Sequence, residues 1–303
     1  MPHAATPISA PAFAELHCLS NFSFLRGASR SSELTARAAR LGYAALAITD
    51  ECSLAGIVRA HEAAKEHGVA LICGTEVRLA DGPKLVLLAT DRAGYGNLAA
   101  LITKARRAAP KGEYRIARAD FDDGLPGCLA LWIPDFDAAD RDAAWIADAA
   151  WLRERFPDRA WIAAELHLSG DDLQRIDALD ALSFASGLPV VATNDVHMHA
   201  RGRRALQDVL TAIRIGTTVE DAGYALFPNG ERHLRTIEQL ATMYPAGWLA
   251  ASVAIAARCT FSLDELRYEY PEEIAPPGET PASWLRAMTE AGLAWRFGDG
   301  PAP

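Results

Sequence analysis

No run of about 18 apolar residues free of charge occurs in this sequence, so nothing in it reads as a membrane-spanning helix. The opening residues, MPHAATPISAPA, have neither a basic start nor an apolar stretch, and no export signal is expected. Cysteine is scarce: Cys18, Cys52, Cys73, Cys128 and Cys259 are scattered, odd in number and include no C-x-x-C pair. That excludes a disulfide framework and predicts a reducing, cytoplasmic setting. Positive charge is also short, with 30 Lys and Arg against 39 Asp and Glu, a net charge of -9. A free-standing nucleic-acid binder is excluded, because neutralising phosphates needs a concentrated basic face. The motifs G-x-x-x-x-G-K-S/T, G-x-S-x-G and G-x-G-x-x-G are missing, and with them the common phosphate loops and nucleophile elbow. No internal repeat and no low-complexity tract occurs.

What remains is a chain of 303 residues, 50% apolar, able to bury a full core. Short Val/Ile/Leu/Ala runs near 13–18, 44–49, 69–79, 84–90, 128–133, 160–168 and 188–195 predict strands. Stretches with apolar spacing near 3.6, at 30–41, 53–67, 93–109, 138–156 and 171–186, predict helices between them. Strands alternating with helices predict a parallel sheet, and seven of them a closed or nearly closed barrel. Gly42, Gly68 and Gly187 stand where helices should end, and Asp171 where one should begin. Past Asp195 the pattern turns helical: Thr236-Ile237-Glu238-Gln239 is a capping box, and Thr280-Pro281 an N-cap followed by Pro at N1. A Pro-rich connector, 268–278, separates those helices. The expected division is a barrel core over 1–200, a helical extension packed on it over 201–265, and connector plus helix over 266–303. The last helix, 281–297, carries Trp284, Leu285, Met288, Leu293, Trp295 and Phe297; such a stripe is usually core, or else marks the entrance to a further domain.

Histidines and carboxylates gather at predicted strand ends. Glu15-Leu16-His17 closes the first strand and Thr193-Asn194-Asp195-Val196-His197 the seventh. Side chains alternate along a strand, so Asp195 and His197 share a face and His17 would point to the same side. Barrel active sites lie at the C-terminal strand ends, where Thr49-Asp50-Glu51, Gly74-Thr75-Glu76 and Glu165-Leu166-His167 also fall. Imidazole with carboxylate suits Zn, Mn or Fe. Each histidine alone would more often be a hydrogen-bonded structural residue, and only convergence on one rim makes a site. His199, His61 and His67 read as surface residues, and Arg201, Arg203 and Arg204 as a locally paired surface.

The runs Glu15 to Ser29, Ala47 to Gly56, Gly74-Thr75-Glu76, Val191 to His197, Leu206-Gln207-Asp208 and Tyr268 to Arg296 resemble one family. The chain is similar to the polymerase and histidinol phosphatase (PHP) domain, and within it to the N-terminal PHP region of bacterial error-prone C-family DNA polymerases. The resemblance covers nearly the whole chain and implies a distorted seven-stranded βα barrel. It also implies a metal cluster that cleaves phosphoester bonds, in some polymerases as 3'-5' proofreading. Carried over, His17, Glu76, His167, Asp195 and His197 fall on ligand positions, with Glu51 standing where the family has a histidine. The second His of the H-x-H pair falls on Leu19, the next ligand on Arg26, a fourth-strand His on Lys84, and a Cys or His after the fifth strand on Pro134. Leucine cannot ligate and a guanidinium repels cations. The expectation is that Arg26, with Lys84, replaces metal by pairing with Glu51, Glu76 or Asp195. A single Zn or Mn on the five remaining ligands is the alternative to no metal at all. The resemblance further implies a structural or docking platform within an error-prone polymerase active in translesion synthesis. Its partners would be the palm and fingers of the same polypeptide, DNA only through the full-length protein, and a sliding clamp or mutagenesis accessory proteins. The competing readings are a stand-alone metal-dependent PHP phosphoesterase and a pure interaction module.

Overall fold

The computed structural model describes residues 12–138, 140–266 and 275–298. Strands β1 (Ala14–Glu15), β2 (Ala45–Ile48), β3 (Ala70–Arg78), β4 (Lys84–Ala89), β5 (Cys128–Ile133), β6 (Ala160–Glu165) and β7 (Val190–Thr193) form one seven-stranded sheet in sequential order. The sheet closes by a single bridge: Leu19 N donates to Val196 O at 2.8 Å and Val196 N to His17 O at 2.9 Å. The fold is a nearly closed, distorted barrel.

The direction of β4 departs from the parallel sheet that the alternation predicts. It runs antiparallel to both β3 and β5, while the other pairs are parallel. The cause is loop length, since only Leu79 to Pro83 separates β3 from β4 and a parallel return needs a crossover of a dozen residues or more. The reversal matters to the site. Register sets Glu76 opposite Val86 and Arg78 opposite Lys84, so Glu76, Arg78 and Lys84 share one face.

Alternation divides the core into two layers. Ala45, Ala47, Val86, Leu88, Leu129 and Leu131 pack together with Ile255, while their neighbours Leu46, Ile48, Leu85, Leu87, Ala130 and Trp132 pack with residues of the surrounding helices. Those helices are α1 (Ser31–Arg40), α2 (Ile57–His67), α3 (Arg92–Arg107), α4 (Arg141–Arg155) and α5 (Asp172–Ser186). Leu34, Ala38, Ala60, Leu98 and Leu152 are among their fully buried contributions. The helix predicted from 53 begins only at Ile57, because Cys52 takes a positive φ of 45°. Gly68 and Gly187 cap α2 and α5 in the left-handed conformation, which costs glycine nothing. Asp171 occupies the N-cap of α5 without a side-chain cap bond.

Beyond β7 come α6 (Arg204–Ile215), α7 (Ile237–Met243) and α8 (Ala246–Ala256). Thr236 and Gln239 form the expected capping box on α7. Ala14 N donates to Ser252 Oγ at 3.1 Å, which ties α8 to the end of the barrel where β1 begins and leaves the opposite rim for the site. Residues up to Glu265 form one compact unit and those from Leu266 a second. In the second, α9 (Pro281–Phe297) is capped by Thr280 and buries none of its residues, so its apolar stripe is not the core that its composition suggests. Most of the predicted connector, at 267–274, lies outside the described residues.

Candidate metal centre

His17 is fully buried and stands at the middle of the rim. Its Nδ1 meets Glu165 Oε1 at 2.7 Å and its Nε2 meets Glu76 Oε2 at 2.8 Å, with Asp195 Oδ1 at 3.6 Å. His17, Glu76 and Asp195 each offer a ligand atom, all within 4.8 Å of one another. By position alone these three atoms could hold a divalent ion.

Charge argues otherwise. Arg26 Nη1 donates to Glu76 Oε1 at 2.7 Å and to Glu51 Oε2 at 2.6 Å, and Lys84 Nζ lies 2.8 Å from Glu76 Oε2. Both oxygens of Glu76 are thus taken by cations of the chain itself. Asp195 Oδ2 is paired with Arg232, whose guanidinium lies 4.2 Å from the centroid of the Phe227 ring, and Asp195 Oδ1 meets His197 Nε2 at 3.0 Å. A buried carboxylate needs such a counter-charge, because left alone it costs several kcal/mol. With the counter-charges supplied, the donor set does not fit a metal cation.

The electrostatics follow from these contacts. Burial works to raise Glu76, but Lys84, His17 and Arg26 outweigh it and hold the carboxyl well below the usual range. Burial opposes a charged His17, yet Glu165 and Glu76 push its pKa up. Glu165 is lowered against its burial by the same His17 contact. Burial drives His167 and His197 far down, with Arg232 and Arg26 respectively adding to the effect, so both stay neutral. Burial pulls Arg232 down to about 10.

Of the predicted ligand residues, His17, Glu76 and Asp195 converge, with His197 on Asp195 and Glu51 reached through Arg26. His167 does not join them: its Nε2 lies 2.9 Å from the backbone oxygen of Asn194, and its own carbonyl accepts from Asn229 Nδ2 at 2.6 Å. Glu165, two residues earlier at the end of β6, is the residue that reaches His17. Arg26 pairs with Glu51 and Glu76 and Lys84 with Glu76, while Asp195 takes its cation from Arg232. Nothing in the sequence marks Arg232, which comes from an irregular segment 37 positions further on. Asp50 is buried but committed to loop structure, accepting from Ser20 N at 2.8 Å, Ser20 Oγ at 2.7 Å and Ser23 Oγ at 2.7 Å. Leu19 is fully buried. His199 is not the surface residue expected, since it is half-buried with Nδ1 2.8 Å from Ser29 Oγ. Arg203, Arg204 and Arg201 pair locally with Glu33, Asp208 and Glu231.

Residues 15–164 match the PHP domain family. The chain belongs to that family. It is 59% identical over 295 residues to an error-prone DNA polymerase of Dechloromonas aromatica, covering 96% of this chain and 28% of that protein. Against the error-prone DNA polymerase of Pseudomonas aeruginosa the identity is 59% over 297 residues, 98% of this chain and 28% of the relative. Against that of Methylococcus capsulatus it is 61% over 289 residues, 95% and 27%. The PHP chain therefore spans little more than a quarter of the length of these relatives. A solved amidohydrolase from Chromobacterium violaceum, with bound sulfate and no metal, has a TM-score of 0.51 and 16% identity over 62% of this chain and 88% of its own. That likeness shows the fold alone. No helix among the described residues is long and apolar enough to cross a membrane.

Proposed function

We propose that this PHP chain is the N-terminal region of an error-prone DNA polymerase and that its rim serves as a salt-bridged buttress in place of a metal centre. The observation that carries the reading is Glu76, whose two oxygens are held by Arg26, Lys84 and His17 at 2.7–2.8 Å. Ion pairs of this kind fix loop and strand ends in place, which suits a platform. Support for the polymerase context comes from relatives near 60% identical that are called error-prone DNA polymerases. The whole protein's activity would be DNA-directed nucleotidyl transfer in translesion synthesis and damage-induced mutagenesis, carried by palm and fingers in the same cytoplasmic polypeptide. A sliding clamp or accessory proteins would be further partners. Residues 1–200 would form the barrel core, 201–265 its helical extension, and 266–303 the approach to the palm.

The test is elemental analysis of protein purified without chelator or nickel, together with an assay of phosphoester and 3'-recessed DNA hydrolysis in Mn or Zn. The reading expects less than about a tenth of an equivalent of metal and no turnover. One observation favours a second reading, a metal-dependent phosphoesterase: His17, Glu76 and Asp195 still converge within 4.8 Å. Hydrolysis abolished by both His17→Ala and Asp195→Ala would establish it and remove the first.

A further inference from the structure

The chain's own cations do more than neutralise the rim. A cavity of about 510 Å³ opens over it, large enough for a small ligand. Five cationic side chains line it, Arg26, Arg78, Lys84, Arg214 and Arg232, against three carboxylates, Glu51, Glu76 and Asp195. Arg26, Lys84 and Arg232 are spent on those carboxylates. Among the described residues, exposed Arg78 on β3 and exposed Arg214 on α6 enter no ion pair and face the cavity from two separate elements. With its imidazole protonated, the neighbouring His17–Glu165 pair is neutral and leaves this balance unchanged.

Polar groups without partners belong to the same cavity. Gln207 and His197, each 2% exposed, line it, and Gln207 Oε1 and His197 Nδ1 meet no hydrogen-bond partner. A buried unpaired polar atom costs about 1–3 kcal/mol, and because both atoms are closed to solvent a ligand gains from them only where the side chain turns toward the cavity. The assignment of O and N in an amide is interchangeable, so Gln207 can donate or accept there.

We propose that this cavity is a metal-independent oxyanion site that takes a phosphate group, with Arg78 and Arg214 as its principal contacts. The guanidinium fork matches phosphate oxygens in pairs, and cations arriving from β3, β4 and α6 suit a multi-oxygen anion better than a planar monocarboxylate. The two uncommitted charges match a dianion. The shared chemistry fits free phosphate and the phosphate that ends a DNA strand. The inference rests on the reading of the rim as cation-filled: the family position that would hold a cation would here bind an anion.

The test is isothermal titration of the purified chain with inorganic phosphate at low ionic strength in chelator, with metal content measured on the same sample. Saturable binding is expected, weakened about tenfold by Arg78→Ala and again by Arg214→Ala, since each removes a charge-assisted contact. Neither residue is paired with the buried carboxylates, so both variants should melt with the parent. Titration with a 5'-phosphorylated dinucleotide and its unphosphorylated form identifies the source. Tighter binding of the phosphorylated form than of phosphate indicates a strand end, and equal binding free phosphate. Metal-free protein that takes up no phosphate, or a double variant that binds as tightly as the parent, overturns the inference and leaves the buttress standing. Protein that contains metal, and binds phosphate only through it, overturns both.

Discussion

Replacing Arg26 by alanine tests the central claim most directly, because one guanidinium serves two carboxylates. The side chain is 21% exposed, whereas Glu76 is 3% exposed. Removing one partner of a fully buried ion pair costs about 3–5 kcal/mol, most of it the cost of the charge left behind. Here Lys84 remains 2.8 Å from Glu76 and water reaches Arg26, so part of the charge stays matched. The expected loss is about 2 kcal/mol, below the fully buried range. For a domain of this size, about 2–4 °C of melting temperature accompanies each kcal/mol, so calorimetry at pH 7 should read a drop of about 4–8 °C. The pH dependence gives a sharper signature. Glu76 is depressed in the folded state, so its contribution is complete above the unfolded glutamate value, about pH 4.3, and is lost as pH falls through the folded value. In Arg26→Ala the depression shrinks. The deficit relative to the parent should be full above about pH 5 and should narrow as the acid range is entered. Mn²⁺ should move the melting temperature of neither protein, because Lys84 and Arg232 still hold Glu76 and Asp195 in the variant. A deficit absent at pH 7, or constant across the acid range, would refute the pairing as the source of the effect.

In NMR titrations His17 should change charge above the ordinary histidine value, because Glu165 and Glu76 overcome its burial, while His167 and His197 stay neutral well below it. The sign is opposite to that of Glu76: His17 contributes stability in full below the unfolded value, about pH 6.5, and loses it as pH rises through the folded value. Asp50→Asn places an amide NH₂ against the donors of Ser20 and Ser23, and should cost about 1–3 kcal/mol in chemical denaturation without altering metal content. A Cβ at Gly27 would lie 2.0 Å from the backbone oxygen of Ser20, so Gly27→Ala must move the turn that carries Arg26. It should destabilise by about 2–4 kcal/mol, and unchanged stability would mean that the turn yields freely.

The barrel was legible because each strand is a short apolar run and most are bounded by helix ends, and both features act within a few residues. The reversed β4 was legible in principle from its short connection to β3, but composition alone does not report direction. The same locality explains the site. His17, Glu76 and Asp195 come from strands or their ends, so strand position placed them on a common rim, whereas Arg26 was reached only through the family resemblance. Glu165 ends β6 and His167 lies two residues past it, and no periodicity distinguishes which of the two reaches the centre; only the packed backbone of Asn194 decides it. Arg232 was beyond reach because its place depends on a loop after α6 folding back over the rim, with Phe227 beneath its guanidinium.

That last residue bears on how a metal site can become a buttress. Leu19 and Arg26 remove ligands and add one charge, yet Glu76 and Asp195 both need neutralising in a rim where they are 2% and 5% exposed. One arginine cannot reach both, since its guanidinium is already divided between Glu51 and Glu76. Lys84 and Arg232 complete the count from two further segments. The replacement is therefore coupled: removing Arg232 leaves Asp195 without its cation, removing Arg26 or Lys84 leaves Glu76 only partly matched, and restoring a ligand at Arg26 alone leaves Lys84 and Arg232 to repel the returning ion. Regaining tight metal binding should require changes at all three positions together, with single reversions gaining little. A single reversion at Arg26 that bound Mn²⁺ as tightly as the triple variant would show that Lys84 and Arg232 do not oppose the ion.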